Sequence, residues 1–275
     1  MVKGSRQSYC AEQVRRLDRD RYRCTLFAPA GARDGLFALY AFNIEIARIR
    51  ESVSEPMLGE IRLQWWREAV DGIYRESPPQ QEVVRALAPI VAEAGLTRAL
   101  FDRLLEGRTF DLDDEPPRTL AALERYAEET SATLTLLTLE VLGVKDEAAQ
   151  EAGFHVGIAW ALAGLLRAVP FHARARRLYL PRESLEAAGL SPEDVFGLRF
   201  SLPLGRVTAE VAGCAAGHLT AARSLARKVP RRALSALLPA ALAESDLKRL
   251  RRHRYNPFAP ALAEGGLGRQ LRLLV

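Results

Sequence analysis

Arg48 and Glu51 stand three positions apart at the end of a helical stripe whose other members, Phe37, Ala41 and Ile44, are apolar. A period of 3.6 residues sweeps these charges back towards the stripe, so at least one of them is expected to look into a pocket. A guanidinium there can grip a phosphate through paired hydrogen bonds without a metal, or it can simply neutralise a nearby acid. Both readings stand at this stage. Arg62, Arg167 and Arg174 are the other candidates for binding an anion or a lipid head group. Asp111, Asp113, Asp114 and Glu115 cluster ahead of Pro116-Pro117 and offer hard oxygen ligands. They also oppose a helix macrodipole, and a solvated loop is preferred there over a metal site. His172 follows Pro170 with no second histidine near it in sequence, which favours a loop or pocket-lining role over a base or ligand. The other histidines (His155, His218, His253) and the three cysteines (Cys10, Cys24, Cys214) show no metal or disulfide spacing, so no metal site is expected.

These residues need helices to carry them. Residues 38–70 read as two long helices joined at Ser54-Glu55-Pro56, because Pro56 disfavours helix at Glu55 and pre-sets the first turn of the second helix. On that helix, Met57 to about Ile73, the residues Leu58, Ile61, Trp65, Ala69 and Ile73 recur at helical spacing, with Arg62, Trp66 and Arg67 turned towards the first helix or a cavity beside it. Further helices are expected up to Ala94, up to Asp111, from Thr119 to Gly143, and from Ala148 to Ala168 with a break at Pro170. Others cover about Leu204–Val229 and Arg232–Arg252. No alternating strand pattern appears, so the fold class is all-α. Residues 1–24 are read as an N-terminal helix and lead-in, 25–255 as the main helical domain, and 256–275 as a tail. The tail holds a basic amphipathic helix with Leu267, Leu271 and Leu274 opposite Arg269 and Arg272.

Composition narrows the function classes. With 275 residues, 48% hydrophobic and 27% charged, the chain has ample material for a core, and disorder is excluded as its main state. No apolar run reaches the roughly 18 residues of a membrane span, so an integral membrane protein is not expected. The N-terminal arginines are interleaved with Glu12, Asp18 and Asp20, which argues against a transit peptide and for a cytoplasmic start. Residues 1–164 carry 20 Lys and Arg against 26 Asp and Glu, whereas residues 165–275 carry 19 against 8. That basic rear portion is read first as a solvated face and then as a surface for anionic lipid or protein. No nucleic-acid motif accompanies it, so nucleic acid is not expected as a partner.

Several segments carry a resemblance. Phe37-Ala38-Leu39-Tyr40-Ala41-Phe42, Arg62 with Trp65-Trp66, Tyr126, Gly157, Leu166-Arg167, Tyr179-Leu180-Pro181, Ala188-Gly189-Leu190 and Asp194 resemble the squalene and phytoene synthase family in order and spacing. The resemblance implies an isoprenoid-synthase-like helical bundle around a central cavity, lined by Tyr40, Phe42, Trp65, Trp66, Tyr126 and Gly157. In that family two aspartate-rich segments hold Mg²⁺ ions that bind substrate diphosphates. The positions matching the first pattern, Asp-Asp-x-x-Asp, are Ala47 to Glu51, with Arg48 in place of the second aspartate. Those matching the second, Asp-x-x-x-Asp, run from Ala168 to His172. An Ala, an Arg and a His do not assemble a hard-oxygen cluster, which implies a catalytically degenerate member with no cofactor.

The departure is itself similar to a subgroup, the mitochondrial assembly factors for respiratory complex I. It is carried by Ala41-Phe42-Asn43-x-Glu45, Ser52-Val53-Ser54-Glu55, Tyr126-Ala127-Glu128-x-Thr130, Leu139-Glu140-x-Leu142-Gly143 and Arg167-Ala168-x-Pro170-x-His172. The resemblance implies a scaffold acting on complex I subunits or assembly intermediates, in a bacterial cytoplasm or peripherally at the inner membrane, or on the matrix side in a eukaryote. The alternatives are a Mg²⁺-dependent prenyltransferase and a non-catalytic carrier of an isoprenoid or anionic lipid.

Overall fold

In the computed structural model, residues 8–263 are described, and every regular element among them is helical. The expected tail helix around Leu267–Leu274 lies outside the described residues. The α-helices run α1 Tyr9–Leu17, α2 Arg19–Leu26, α3 Ala30–Ala47, α4 Pro56–Tyr74, α5 Glu82–Ala94, α6 Arg98–Thr109, α7 Leu120–Ala127 and α8 Thr133–Val141. They continue as α9 Glu147–Arg174, α10 Arg182–Ala187, α11 Pro192–Phe196, α12 Leu202–Ser224, α13 Leu234–Leu237, α14 Pro239–Arg252 and α15 Pro260–Ala263. Their starts are written in short polar side chains. Gln81, Thr119 and Ser201 each accept a hydrogen bond from an otherwise orphaned N–H in the first turn. Ser191 and Asp194 complete a capping box. Gly95 ends α5 at φ +64°, a conformation that favours glycine.

The chain sorts into two compact units, each discontinuous in sequence. The first takes in the described residues up to Leu112, with Thr133–Gln150 and Val229–Ala236; the second takes in Asp113–Ala132, Glu151–Lys228 and the described residues from Leu237 onward. In the first unit α3 is the central element. It is buried almost continuously from Gly35 to Ile44 and packs against α1, α2, α5, α6 and α8. Phe42 fills the centre, edge-on to both Trp66 and Phe101 with ring centroids 5.2 and 5.4 Å away. In the second unit α12 packs against α10 and α14.

Four sequence expectations are corrected. The first long helix ends at Ala47 and does not reach the Ser54 corner. Beyond it the chain tightens into a 3₁₀ turn, Arg50–Ser52, because Ser52 Oγ donates to the carbonyl of Ile49 (2.8 Å) while Ile49 itself is buried. On α4 the buried face is Gly59, Leu63, Trp66, Ala69, Val70 and Ile73, so Ala69 and Ile73 fall inside as expected, whereas Leu58, Ile61 and Trp65 are exposed. The helix is turned by the close approach at Gly59, where a Cβ would stand 2.3 Å from Leu112 Cδ2. The stretch from Thr119 to Gly143 is helical without a gap from Leu120 to Val141 but is not regular α-helix, since a π-helical turn at Glu128–Ala132 comes between α7 and α8.

The fourth correction concerns α9, which runs straight through Pro170 to Arg174. Proline removes one backbone donor, and so near the helix end that loss is outweighed by burial of Leu166, Val169 and Ala173 on either side. At 28 residues α9 is also long and apolar enough to cross a membrane, the one such helix among the described residues. Of its most apolar 18-residue window, 61% is buried inside the protein, as in a core helix.

Candidate functional site

The end of α3, the 3₁₀ turn after it, and parts of α1 and α4 enclose a cavity of about 410 Å³ within the first unit. Its cationic lining is Arg16, Arg48 and Arg62; its acids are Glu45 and Glu51; Ile44, Ile49, Trp65 and Trp66 supply apolar wall. Arg48 caps α3, where a positive charge suits the helix C-terminus, and its Nε stands 3.4 Å from Glu51 Oε2. Both side chains are about half exposed. Arg62 reaches across from α4 to donate to Ser52 Oγ (2.6 Å), which fixes the turn against the second helix. Trp65 lies edge-on to Trp66, with centroids 4.9 Å apart, so one ring stays in the core while the other faces the opening.

This pocket can hold an anion or an amphiphile with an anionic head, through three guanidinium groups beside an aromatic wall. The motif positions do not supply a Mg²⁺ cluster: of Ala47, Arg48 and Glu51 only Glu51 has a carboxylate, and it is paired with Arg48. At the second matching segment, on α9, Ala168 and His172 likewise provide no oxygen ligand. The His172 ring stacks at a tilt over Tyr179 (4.7 Å) and borders a small apolar hollow with Leu166, Val169 and Leu180.

The remaining sequence candidates fall in different places. Tyr40 is buried, with its hydroxyl 3.2 Å from Thr138 Oγ1, and burial pushes its phenol up to about 12. Phe42 belongs to the core described above. Tyr126 packs 5.7 Å from Tyr179 in the second unit. Gly157 lies against Ala132 backbone. Arg167 is bound to the buried carboxylate of Asp246 (2.9 Å), which also receives Arg249 (2.7 Å). Arg174 is exposed at the end of α9.

The acidic run is divided between roles. Asp111 is buried and paired with Arg108 (3.1 Å), which in turn donates to Asn43 Oδ1. Asp113 turns back to accept from the N–H of Glu115, and Glu115 pairs with Arg182. Arg16 was not singled out from sequence. Its signal was its place on the face of α1 next to Gln13 and Leu17, which also border the pocket.

With this geometry in hand the class is clear. The squalene/phytoene synthase family profile matches residues 14–273, and the chain belongs to that family. Among curated relatives it is 39% identical to NADH dehydrogenase (ubiquinone) complex I, assembly factor 6, of Bos taurus, over 92% of this chain and 76% of the relative. It is 28% identical to the presqualene diphosphate synthase of Sinorhizobium fredii, over 76% of this chain and 74% of that enzyme. Among solved structures, the squalene synthase from Alicyclobacillus acidocaldarius superposes with a TM-score of 0.81 at 22% identity. That match covers 90% of this chain and 94% of the other, and establishes the shared all-helical fold.

Proposed function

We propose that this chain is a catalytically degenerate member of the squalene/phytoene synthase family that serves as an assembly or scaffold factor for respiratory complex I. One observation carries the reading: the segment matching the first diphosphate-binding motif presents an Arg48–Glu51 pair where ionisation of a prenyl diphosphate would need clustered carboxylates and Mg²⁺. The name of the 39%-identical bovine relative supports the assembly role. The partners are then complex I subunits or assembly intermediates. The site of action is the cytoplasmic face of a bacterial inner membrane, or the matrix side in a eukaryote, and no cofactor is required.

The test has two arms. Purified protein is incubated with labelled farnesyl and geranylgeranyl diphosphates and Mg²⁺, beside an active synthase, and scored for pyrophosphate and for coupled product. In parallel, the chain with a mitochondrial leader is expressed in human cells lacking their own assembly factor 6, and assembled complex I is measured on native gels. The expectation is no turnover and restored complex I. Turnover above a boiled control, with no restoration, would return the chain to the prenyltransferases.

A second reading is favoured by the arginine-lined cavity itself, which suits non-catalytic binding of an isoprenoid diphosphate or an anionic lipid. It predicts saturable binding of farnesyl diphosphate with chelator present, weakened by Arg48→Ala and Arg62→Ala together.

A further inference from the structure

Four side chains with metal-ligating atoms meet in the second unit, away from both motif segments. Cys214 and His218 lie one turn apart on α12, Glu124 comes from α7 and His155 from α9. His218 Nε2 stands 2.9 Å from Glu124 Oε1, and Cys214 Sγ donates to Glu124 Oε2 at 3.5 Å. One ligand atom from each of Glu124, Cys214 and His218 can be chosen so that all three lie within 4.8 Å of one another, the spacing of donors around a single ion. The other ring nitrogen of His218, Nδ1, is 2.8 Å from Nδ1 of His155. Reading histidines and cysteines as separate spacings hides this set, because Cys214 and His218 form an i, i+4 pair of mixed type.

We propose that Glu124, Cys214 and His218 bind one borderline transition-metal ion of the Zn²⁺ class, with His155 accepting the Nδ1–H of the coordinated His218. The donor set excludes Mg²⁺ and Ca²⁺, which take oxygen, and suits an ion that accepts thiolate, imidazole and carboxylate together. Charge balances, since one thiolate and one carboxylate offset a dication in a half-buried place. On binding, the Cys214 S–H bond breaks, a metal–sulfur bond forms and that proton leaves to solvent. His218 gives up the Nε2–H that faces Glu124 in the ion-free protein and takes a proton at Nδ1 from His155, whose other ring nitrogen is reprotonated in exchange, so both rings stay neutral and no electrons move. The His155 contact is the outer-sphere hydrogen bond that fixes the tautomer of a metal-bound histidine. Three protein ligands leave a fourth position, on the side where Glu124 is 39% exposed.

The experiment uses the full chain, stripped with chelator under reducing conditions and titrated with Co²⁺ as the probe. One equivalent is expected to bind with a thiolate-to-cobalt charge-transfer band, which Zn²⁺ then abolishes. Cys214→Ser removes the band, whereas Cys10→Ser and Cys24→Ser keep it. Glu124→Gln weakens Co²⁺ affinity at least about tenfold, and His155→Leu weakens it about 10- to 100-fold while leaving the band in place. Far-UV circular dichroism checks each fold, and if Cys214→Ser does not fold the Glu124→Gln titration decides. No charge-transfer band in the wild type, a band that survives Cys214→Ser, or affinity unchanged by Glu124→Gln overturns the proposal.

Discussion

Ala132 lies against Gly157 so closely that a methyl group on Gly157 would stand 2.3 Å from Ala132 Cα and 2.7 Å from its nitrogen, with Ser131 O at 2.8 Å. All three obstacles are backbone atoms, and they belong to the π-turn Glu128–Ala132. A glycine on α9 and an irregular turn after α7 are therefore two halves of one packing decision.

Gly157→Ala is accordingly expected to destabilise the protein by about 2–3 kcal/mol, because neither helix can yield by rotating a side chain. Gly164, two turns further along α9, has nothing within 4 Å of a Cβ, so Gly164→Ala is expected to be neutral or to stabilise by up to about 1 kcal/mol. Urea midpoints of the two variants measure the contrast. Equal effects would mean that the close approach at Gly157 is absent in solution.

Asp111 and Asp113 are two residues apart in sequence and differ in what they hold. Asp111 is buried against Arg108, and Arg108 reaches Asn43 on α3, so removing the carboxylate charge takes a charged partner away from a largely buried guanidinium. Asp111→Asn is expected to cost about 3–5 kcal/mol, and Asp113→Asn, on an exposed turn, less than about 0.5 kcal/mol. Added Mg²⁺ should change neither value. A metal site would instead show Mg²⁺-dependent stability that both variants lose.

Much of this was legible because helix patterning is local. The proline start of α4, the Gly95 stop and the Ser191 cap each act within one turn, so the residues themselves announce them. The family resemblance was legible for the same reason, being carried by short runs such as Arg62 with Trp65-Trp66. What sequence could not supply was the choice between two equally apolar stripes on α4. That choice depends on Leu112, far along the chain, fitting over Gly59. Nor could it see that Arg167 is committed to Asp246, 79 positions away. The Glu124, Cys214 and His218 set was invisible for this reason too, since three separate segments bring the carboxylate, the cysteine–histidine pair and His155 together.

Cys24 is almost wholly buried, and burial, reinforced by Asp20 and Asp18, pushes its thiol from an unfolded value of 9.0 up to about 12. A raised acid binds more protons in the folded state than in the unfolded one. Its contribution to stability is complete below 9.0 and is lost as pH rises from there through the folded value. Between about pH 8 and about pH 10.5 the urea midpoint should therefore fall more steeply for the wild type than for Cys24→Ala. Parallel falls would show that the thiol ionises in the folded protein as easily as in a peptide.

The segment Ala47–Glu51 offers the most direct test of why carboxylates matter in this fold. At present Arg48 sits at the C-terminal end of α3, where its charge complements the helix dipole and balances Glu51. The triple variant Ala47→Asp, Arg48→Asp, Glu51→Asp reverses that arrangement. It places three acids where the dipole is negative, at a cost of about 0.3–1 kcal/mol for each unfavourable charge. In chelator the variant should melt below the wild type. Mg²⁺ should then recover much of the loss in the variant alone, because an ion that binds only the folded cluster stabilises it by about 2.7 kcal/mol at a hundredfold excess over Kd. The wild type, with a guanidinium in the middle of the segment, should be indifferent to Mg²⁺ throughout. Scanning calorimetry with and without Mg²⁺ reads both effects, and a wild-type melting temperature that rises with Mg²⁺ but not with matched ionic strength would refute the claim that this segment has lost its metal.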